Sequence, residues 1–124
     1  MPVIREQDAV RHHLHGSVFH SFAAPASGSR ELCAWRLEVA PHTAGAAHRV
    51  SKEEVFLLLT GSLDVTLDGT TSTIGPGEVA LVPAGAEVRV DNVGADPATM
   101  WVTTSAGLLA TMPDGSTLAP PWTR

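Results

Sequence analysis

The chain has 124 residues, with 13 acidic and 8 basic side chains, a formal net charge of −5 at pH 7 and 44% hydrophobic residues. This length predicts a single domain, 1–124, with its own hydrophobic core. An acidic chain without a basic stripe argues against nucleic acid and membrane surfaces as partners. The single cysteine, Cys33, excludes an intrachain disulfide, and we find no apolar leader, so we expect a cytoplasmic protein.

Short runs rich in valine, leucine, threonine and tryptophan alternate with turn-forming residues, which predicts an all-β sandwich or barrel. The first predicted strand is Ser17–Ala23, and residues 31–40 form the second. The sequences EVFLLLTG and SLDVTLDGTTSTI follow, and the Asp68-Gly69 pair in the latter is a hairpin signal. GEVALVPAG, EVRVDN and ATMWVTTS complete the predicted strands.

The two ends of the chain lie outside this regular pattern. We expect an N-terminal arm over 1–16, a barrel core over about 31–105 and a C-terminal tail over 106–124. The tail carries enough apolar residues to favour docking on the barrel.

Alternation assigns faces to two of the strands. In EVRVDN, Glu87, Arg89 and Asp91 share one face, which we expect to meet water, so Val88 and Val90 point inward. The strand EVFLLLTG is apolar on both faces, which is unusual for an antiparallel strand.

The outer face of that strand, formed by Val55, Leu57 and Leu59, therefore needs a cover. A second copy of the chain would provide one and would also hide open strand edges, so we predict a homodimer. The alternative is that the termini of the same chain cover this face.

Two segments resemble the sequence motifs of the cupin superfamily. HRVSKEEVFLLLTG is similar to the first motif and GEVALVPAGAEVRVDN to the second, within a resemblance that covers about 37–104. The matching positions are His48, Glu54 and Gly61 in the first motif, and Gly77, Pro83, Gly85 and Asn92 in the second. The resemblance implies a cupin barrel, that is, a double-stranded β-helix or jelly roll.

Metal-binding cupins supply two histidines and a glutamate from the first motif and one histidine from the second. Here His48 and Glu54 match, but Val50 and Val88 stand at the other two positions. Most catalytic sites for such ions use at least three protein ligands. We therefore expect no metal cofactor. The alternative is a divalent ion (Zn, Fe, Mn or Ni) held by His48, Glu54 and a third ligand such as His42, or with His20 as a substitute.

The remaining pair, His48 and Glu54, predicts an acid and a base in an apolar pocket, with the carboxylate orienting the imidazole. The resemblance includes cupins that work without metal, such as sugar epimerases and certain cyclases. We predict binding of a small organic molecule, with isomerase, cyclase or lyase chemistry. The predicted pocket residues are Val50, Phe56, Leu58, Val88, Val90 and Arg36.

Other functions remain open at this point. The barrel could be a non-catalytic module that binds or senses a small molecule, or a metal-dependent oxygenase or lyase with a remodelled ligand set. His48 and Glu54 could also be an inherited polar pair that satisfies itself by hydrogen bonding.

Weaker signals come from single residues. Arg36 could bind a substrate carboxylate, although with Glu38 on the same face a surface ion pair is the commoner role. Either Met100 or Trp101 is expected to line the pocket. We interpret 13–15, which reads His-Leu-His, as part of an exposed segment rather than a metal site, and Cys33 as a packing residue.

Overall fold

Two six-stranded antiparallel sheets face each other in the computed structural model, which describes residues 3–124. The strands are β1 (Val10–Leu14), β2 (Ser17–Ala23), β3 (Leu32–Val39), β4 (His48–Val50), β5 (Glu54–Thr60), β6 (Leu63–Leu67), β7 (Thr70–Ile74), β8 (Val79–Val82), β9 (Glu87–Asp91), β10 (Ala98–Ser105), β11 (Ala110–Thr111) and β12 (Thr117–Leu118). Short 3-10 turns span Glu6–Asp8, Pro25–Ser27 and Pro121–Thr123. No helix in this part of the chain has the length and apolar character needed to cross a bilayer.

The order of strands is β1-β2-β3-β10-β5-β8 in the first sheet and β12-β11-β4-β9-β6-β7 in the second. Burial alternates along β3 and along β10, so each of these strands turns every second side chain toward the opposite sheet. The inward residues of both sheets form one core cluster, which includes Trp35, Leu58, Val65, Val88 and Met100. The jelly-roll fold predicted from the sequence is confirmed.

Two hairpins are closed by two-residue turns with positive φ angles. Asp68 (φ 47°) and Gly69 (φ 85°) join β6 to β7, as predicted. His15 (φ 46°) and Gly16 (φ 78°) join β1 to β2 in the same manner. Residues 10–14 are therefore a strand of the first sheet, whereas the sequence pattern placed them in an irregular arm. Residues 1 and 2 of that predicted arm lie outside the described part of the chain.

The C-terminal segment lies on the barrel. Strand β11 pairs with β4, and β12 pairs with β11. The indole of Trp122 stacks on Phe19 with ring centroids 3.7 Å apart, and the carbonyl of the buried Thr123 lies 3.5 Å from Cys33 Sγ. Burial raises the pKa of the Cys33 thiol, which keeps it protonated and agrees with a packing role.

One residue of β9 differs from the predicted pattern. Asp91 shares the outer face with Arg89 but is buried, because the loop at Gly45 covers it. Its Oδ1 accepts a 2.8 Å hydrogen bond from Gly45 N–H, and its Oδ2 lies 2.8 Å from Arg89 Nε. A Cβ at Gly45 would come within 2.2 Å of the Val90 carbonyl oxygen, so this close approach requires glycine.

The outer face of the first sheet carries an uncovered apolar patch. Val55 and Leu59 on β5 are 36% and 40% exposed, and Val79 and Leu81 on β8 are 53% and 56% exposed. Leu57 between them is half-buried. Within 3–124, no terminal segment covers these four side chains, so that alternative from the sequence pattern is not what the structure contains.

Candidate active site

His48 begins the short strand β4 in the second sheet, where it pairs with Val88 of β9. Its Nδ1 lies 2.9 Å from the Ala46 carbonyl oxygen. A carbonyl only accepts hydrogen bonds, so Nδ1 must carry the proton and donate it. In the neutral ring this leaves Nε2 as an unprotonated acceptor, which is the form a base needs.

Glu54 begins β5 in the first sheet, between Thr104 of β10 and Val82 of β8. It is 3% exposed, and burial raises the pKa of its carboxyl group to about 7. Loss of hydration penalises the ionised form, and within the described part of the chain no neighbouring charge offsets this penalty. Glu54 is therefore divided between the protonated and ionised forms near neutral pH.

Both side chains line one cavity of about 130 Å³ between the two sheets, hereafter the inner cavity. Among 3–124, no hydrogen bond or ion pair joins the imidazole to the carboxyl group, so Glu54 does not orient His48 as predicted. The Ala46 carbonyl holds the ring instead. Each group consequently keeps a polar atom that a bound molecule could engage.

A second cavity of about 280 Å³, the outer cavity, adjoins the inner one. The two share seven lining residues: Gly45, Ala46, His48, Val90, Ala110, Pro120 and Trp122. Together they exceed the roughly 300 Å³ at which ligand pockets of proteins begin. A larger hollow of about 370 Å³ lies between Ile4, Phe22 and Arg124, away from both His48 and Glu54, and so we do not assign the chemistry to it.

The predicted pocket residues occupy three different places. Phe56 and Val90 line the inner cavity. Val50, Leu58 and Val88 point inward as expected, but they are packed in the core rather than at a cavity wall.

Arg36 differs from its predicted place in the pocket, because alternation along β3 turns it to the outer face. Its Nη2 lies 2.7 Å from Glu6 Oε1, and its Nε lies 3.7 Å from Glu38 Oε1. His20 is on the same face, with Nε2 3.1 Å from Glu38 Oε1. Neither Arg36 nor His20 lines the inner or the outer cavity.

Most of the remaining inner wall was not identified from the sequence. Apart from His48, Glu54, Phe56 and Val90, this wall consists of Phe19, Trp35, Leu37, Gly45, Ala46, Met100, Val102, Leu108, Ala110, Pro120 and Trp122. Alternation along β3 placed Trp35 and Leu37 on one face of the strand and Arg36 on the other. It could not show which of the two faces pointed into the barrel. Of the two alternatives Met100 and Trp101, Met100 lines the inner cavity. Trp101 lies on the outer face of the sheet, where its ring centroid is 5.4 Å from that of Phe22.

The donor set does not fit a catalytic divalent cation. Val50 and Val88, at the two positions where the resemblance implies histidine, are each 1% exposed and offer no ligand atom. No group of three or more histidine, cysteine, aspartate or glutamate side chains in residues 3–124 is arranged to hold a metal ion. His42 is exposed on its loop, where its N–H bonds the Gly94 carbonyl, and it does not line the inner cavity.

At the level of sequence, the chain is similar to a curated protein over a limited stretch. An endoribonuclease YbeY of Myxococcus xanthus is 35% identical over 66 residues, which are 53% of this chain and 22% of that protein. The chain thus spans about a fifth of the length of that curated relative.

Solved structures share the barrel at low sequence identity. The polyketide cyclase RemF of Streptomyces resistomycificus superposes with a TM-score of 0.76 at 19% identity, over 85% of this chain and 79% of that one. A sugar phosphate isomerase from a cupin superfamily, of Silicibacter pomeroyi, gives a TM-score of 0.74 at 15% identity, over 98% and 95% of the two chains. At such identities these structures establish the fold.

The family model described as a cupin domain matches residues 35–104. This range contains both segments that resemble the cupin motifs. It runs from β3 to β10 and so includes β4 and β5, the strands that carry His48 and Glu54. Because this family model matches more than half of the chain, and because solved barrels of this fold superpose on the structure, the chain belongs to the cupin family.

Proposed function

We propose that the barrel binds a small, largely apolar organic molecule in the inner cavity, and that His48 and Glu54 move protons to and from it without a metal ion. The observation that carries the proposal is the placement of two ionisable side chains. They come from opposite sheets into one apolar cavity and do not bond each other. A bound molecule lying between them could contact both.

The two groups suit opposite roles in a proton transfer. In the neutral imidazole, Nε2 of His48 is a proton acceptor, because Nδ1–H donates to Ala46. Glu54 in its protonated form is a donor, and its pKa near 7 keeps that form populated at neutral pH. With a ketone, His48 would take the proton from the carbon beside the carbonyl while Glu54 protonates the oxygen. The C–H electron pair would become the C=C bond of the enol, and the π pair of the C=O bond would take the Glu54 proton to form the O–H bond, which leaves His48 protonated and Glu54 ionised.

The relatives support this reaction class without identifying the substrate. They are a polyketide cyclase and a sugar phosphate isomerase, two activities on organic molecules within one fold. The apolar wall of the inner cavity suits an apolar ring compound better than a sugar, because a sugar carries several hydroxyl groups that need hydrogen-bond partners. We do not carry over the endoribonuclease activity, because the chain matches 22% of that protein and has a net charge of −5. We also propose a cytoplasmic location, because a chain with a single cysteine has no intrachain disulfide that would require an oxidising compartment.

Hydrogen–deuterium exchange into 1-tetralone tests the proton transfer directly. This bicyclic ketone has exchangeable protons beside its carbonyl, and their replacement by deuterium can be followed by proton NMR in D₂O. We expect the protein to accelerate the exchange, and we expect His48→Ala and Glu54→Gln each to reduce the acceleration by about 100-fold. Glu53→Gln, which changes the exposed neighbour, is the matched control and should retain the full rate.

Two outcomes would contradict the proposal. If 1-tetralone binds but exchanges no faster than in buffer, the barrel acts as a binding or sensing module. If purified protein retains a near-stoichiometric divalent ion through dialysis and loses activity when a chelator removes it, the metal-independent mechanism is wrong.

A further inference from the structure

The indole of Trp35 is a polar group that the proton transfer does not use. Trp35 lies in the middle of β3, is 3% exposed and forms part of the inner cavity wall. Its Nε1–H is buried and finds no acceptor among residues 3–124. Tryptophan N–H groups in protein interiors normally have a hydrogen-bond partner, because an unpaired buried donor costs free energy.

We infer that Trp35 Nε1–H donates a hydrogen bond to an oxygen atom of the ligand, and that the ligand is a ring compound carrying a carbonyl or similar acceptor oxygen. This inference deepens the proposed function and rests on it. The indole N–H only donates, so the atom it recognises must be an acceptor. A hydrocarbon would leave it unpaired, whereas a carbonyl oxygen has two lone pairs and could accept from Trp35 and from protonated Glu54 together.

The rest of the wall limits how polar this ligand can be. Among the described residues that line the inner cavity, the polar side-chain groups are the indole N–H groups of Trp35 and Trp122, the imidazole of His48 and the carboxyl group of Glu54. The other side chains are apolar, and no arginine or lysine is present to meet a phosphate or carboxylate. A sugar would bring several hydroxyl groups that could not all be paired, and each unpaired group would weaken binding. The chemistry therefore favours an uncharged ring with one or two oxygen atoms.

A matched pair of probes separates the oxygen from the rest of the molecule. 1-Tetralone and tetralin share one bicyclic skeleton, and only the former has a carbonyl. Calorimetric titration should show Trp35→Phe, which preserves an aromatic ring in the wall, weakening 1-tetralone binding about fivefold to tenfold. The same substitution should change tetralin binding less than twofold.

The indole resonances of the unaltered protein give a second measurement that does not depend on a variant folding. We expect the Trp35 Nε1–H signal to move downfield with 1-tetralone more than with tetralin, which corrects for ring-current effects. Trp101, on the outer face of the sheet, serves as the internal reference.

The possible failures are distinguishable. Equal binding losses for both probes in Trp35→Phe, or equal shifts of the Trp35 signal, would overturn the donor role and leave the proposed function intact. If the protein does not accelerate deuterium exchange into 1-tetralone but the Trp35 signal still shifts as expected, only the acid–base proposal is overturned. If neither probe binds, the cavity is not a site for such molecules, and both proposals fail.

Discussion

A single carboxyl group determines much of how this site can behave. Glu54 lies in an apolar cavity, and burial raises the pKa of its carboxyl group to about 7, so the protonated form stays populated at neutral pH in the folded protein. A group with a pKa near ambient pH is an efficient proton donor or acceptor. The same burial imposes a cost on the fold once the group ionises, and this cost can be measured apart from any ligand.

Glu54→Gln should stabilise the protein above neutral pH and have little effect in acid. With the pKa raised from 4.5 to about 7, the folded state binds this proton more tightly than the unfolded state. The free energy of unfolding therefore falls as pH rises from about 4.5 to about 7, by roughly 3 kcal/mol from this group. Glutamine resembles the protonated acid and removes that dependence. Urea unfolding at pH 4.5 and pH 8 should show the variant's advantage only at the higher pH.

The neighbouring carboxylate supplies the control for this measurement. Glu53 is exposed and lies one position earlier in the chain. Glu53→Gln should leave the pH dependence of unfolding as it is in the unaltered protein. An equal stability difference between Glu54→Gln and the unaltered protein at both pH values would contradict a raised pKa.

At the scale of elements, the sequence was informative where motif and alternation agreed. Inward Val88, Phe56 and Glu54 followed from the strand period and from the resemblance. Strand β1 was missed because four of its five residues are exposed and the one half-buried residue, His12, is polar, which leaves no apolar alternation. The His15-Gly16 turn was a usable signal, because histidine adopts positive φ more readily than most residues.

The cavity wall could not be predicted for a different reason. Trp122 and Pro120 reach the site from the end of the chain through tertiary packing, which has no period in the sequence. Asp91 shows the same limit, since alternation gives the face of a side chain but not the loop that covers it. Local pattern thus predicted the barrel and singled out His48 and Glu54, which line one cavity, while contacts distant in sequence set the shape of the pocket.

Trp122→Ala should both destabilise the protein and weaken ligand binding. The indole stacks on Phe19, and together they form part of the inner cavity wall. Removing a half-buried indole should lower the free energy of unfolding by about 2 kcal/mol. Trp122→Phe should recover most of the loss because it retains an aromatic partner, and Leu109→Ala, at an exposed residue of the same segment, should cost little. Urea unfolding and 1-tetralone titration provide the two readouts. Unchanged stability and binding in Trp122→Ala would show that the stack does not hold the wall.

For the whole molecule, the decisive feature is the outer patch of the first sheet, formed by Val55, Leu59, Val79 and Leu81. Val55 and Leu81 are cross-strand partners, and Leu57 pairs with Val79, so the patch is continuous across β5 and β8. Strand β8 also ends its sheet, which leaves a row of backbone groups without a neighbouring strand in residues 3–124. Continuous exposed apolar surface of this kind marks interfaces.

We therefore expect a homodimer in which two copies bury this patch against each other. Sedimentation velocity at micromolar concentrations should give about twice the 13.0 kDa mass of the chain. Leu81→Glu places a charge in the centre of the interface and should yield the monomer, because burying an unpaired carboxylate opposes association. Val93→Glu changes a more exposed valine on a separate loop, at 69% exposure, and should leave the dimer intact. A monomeric unaltered protein, or equal effects of the two substitutions, would show that another surface, or none, mediates association.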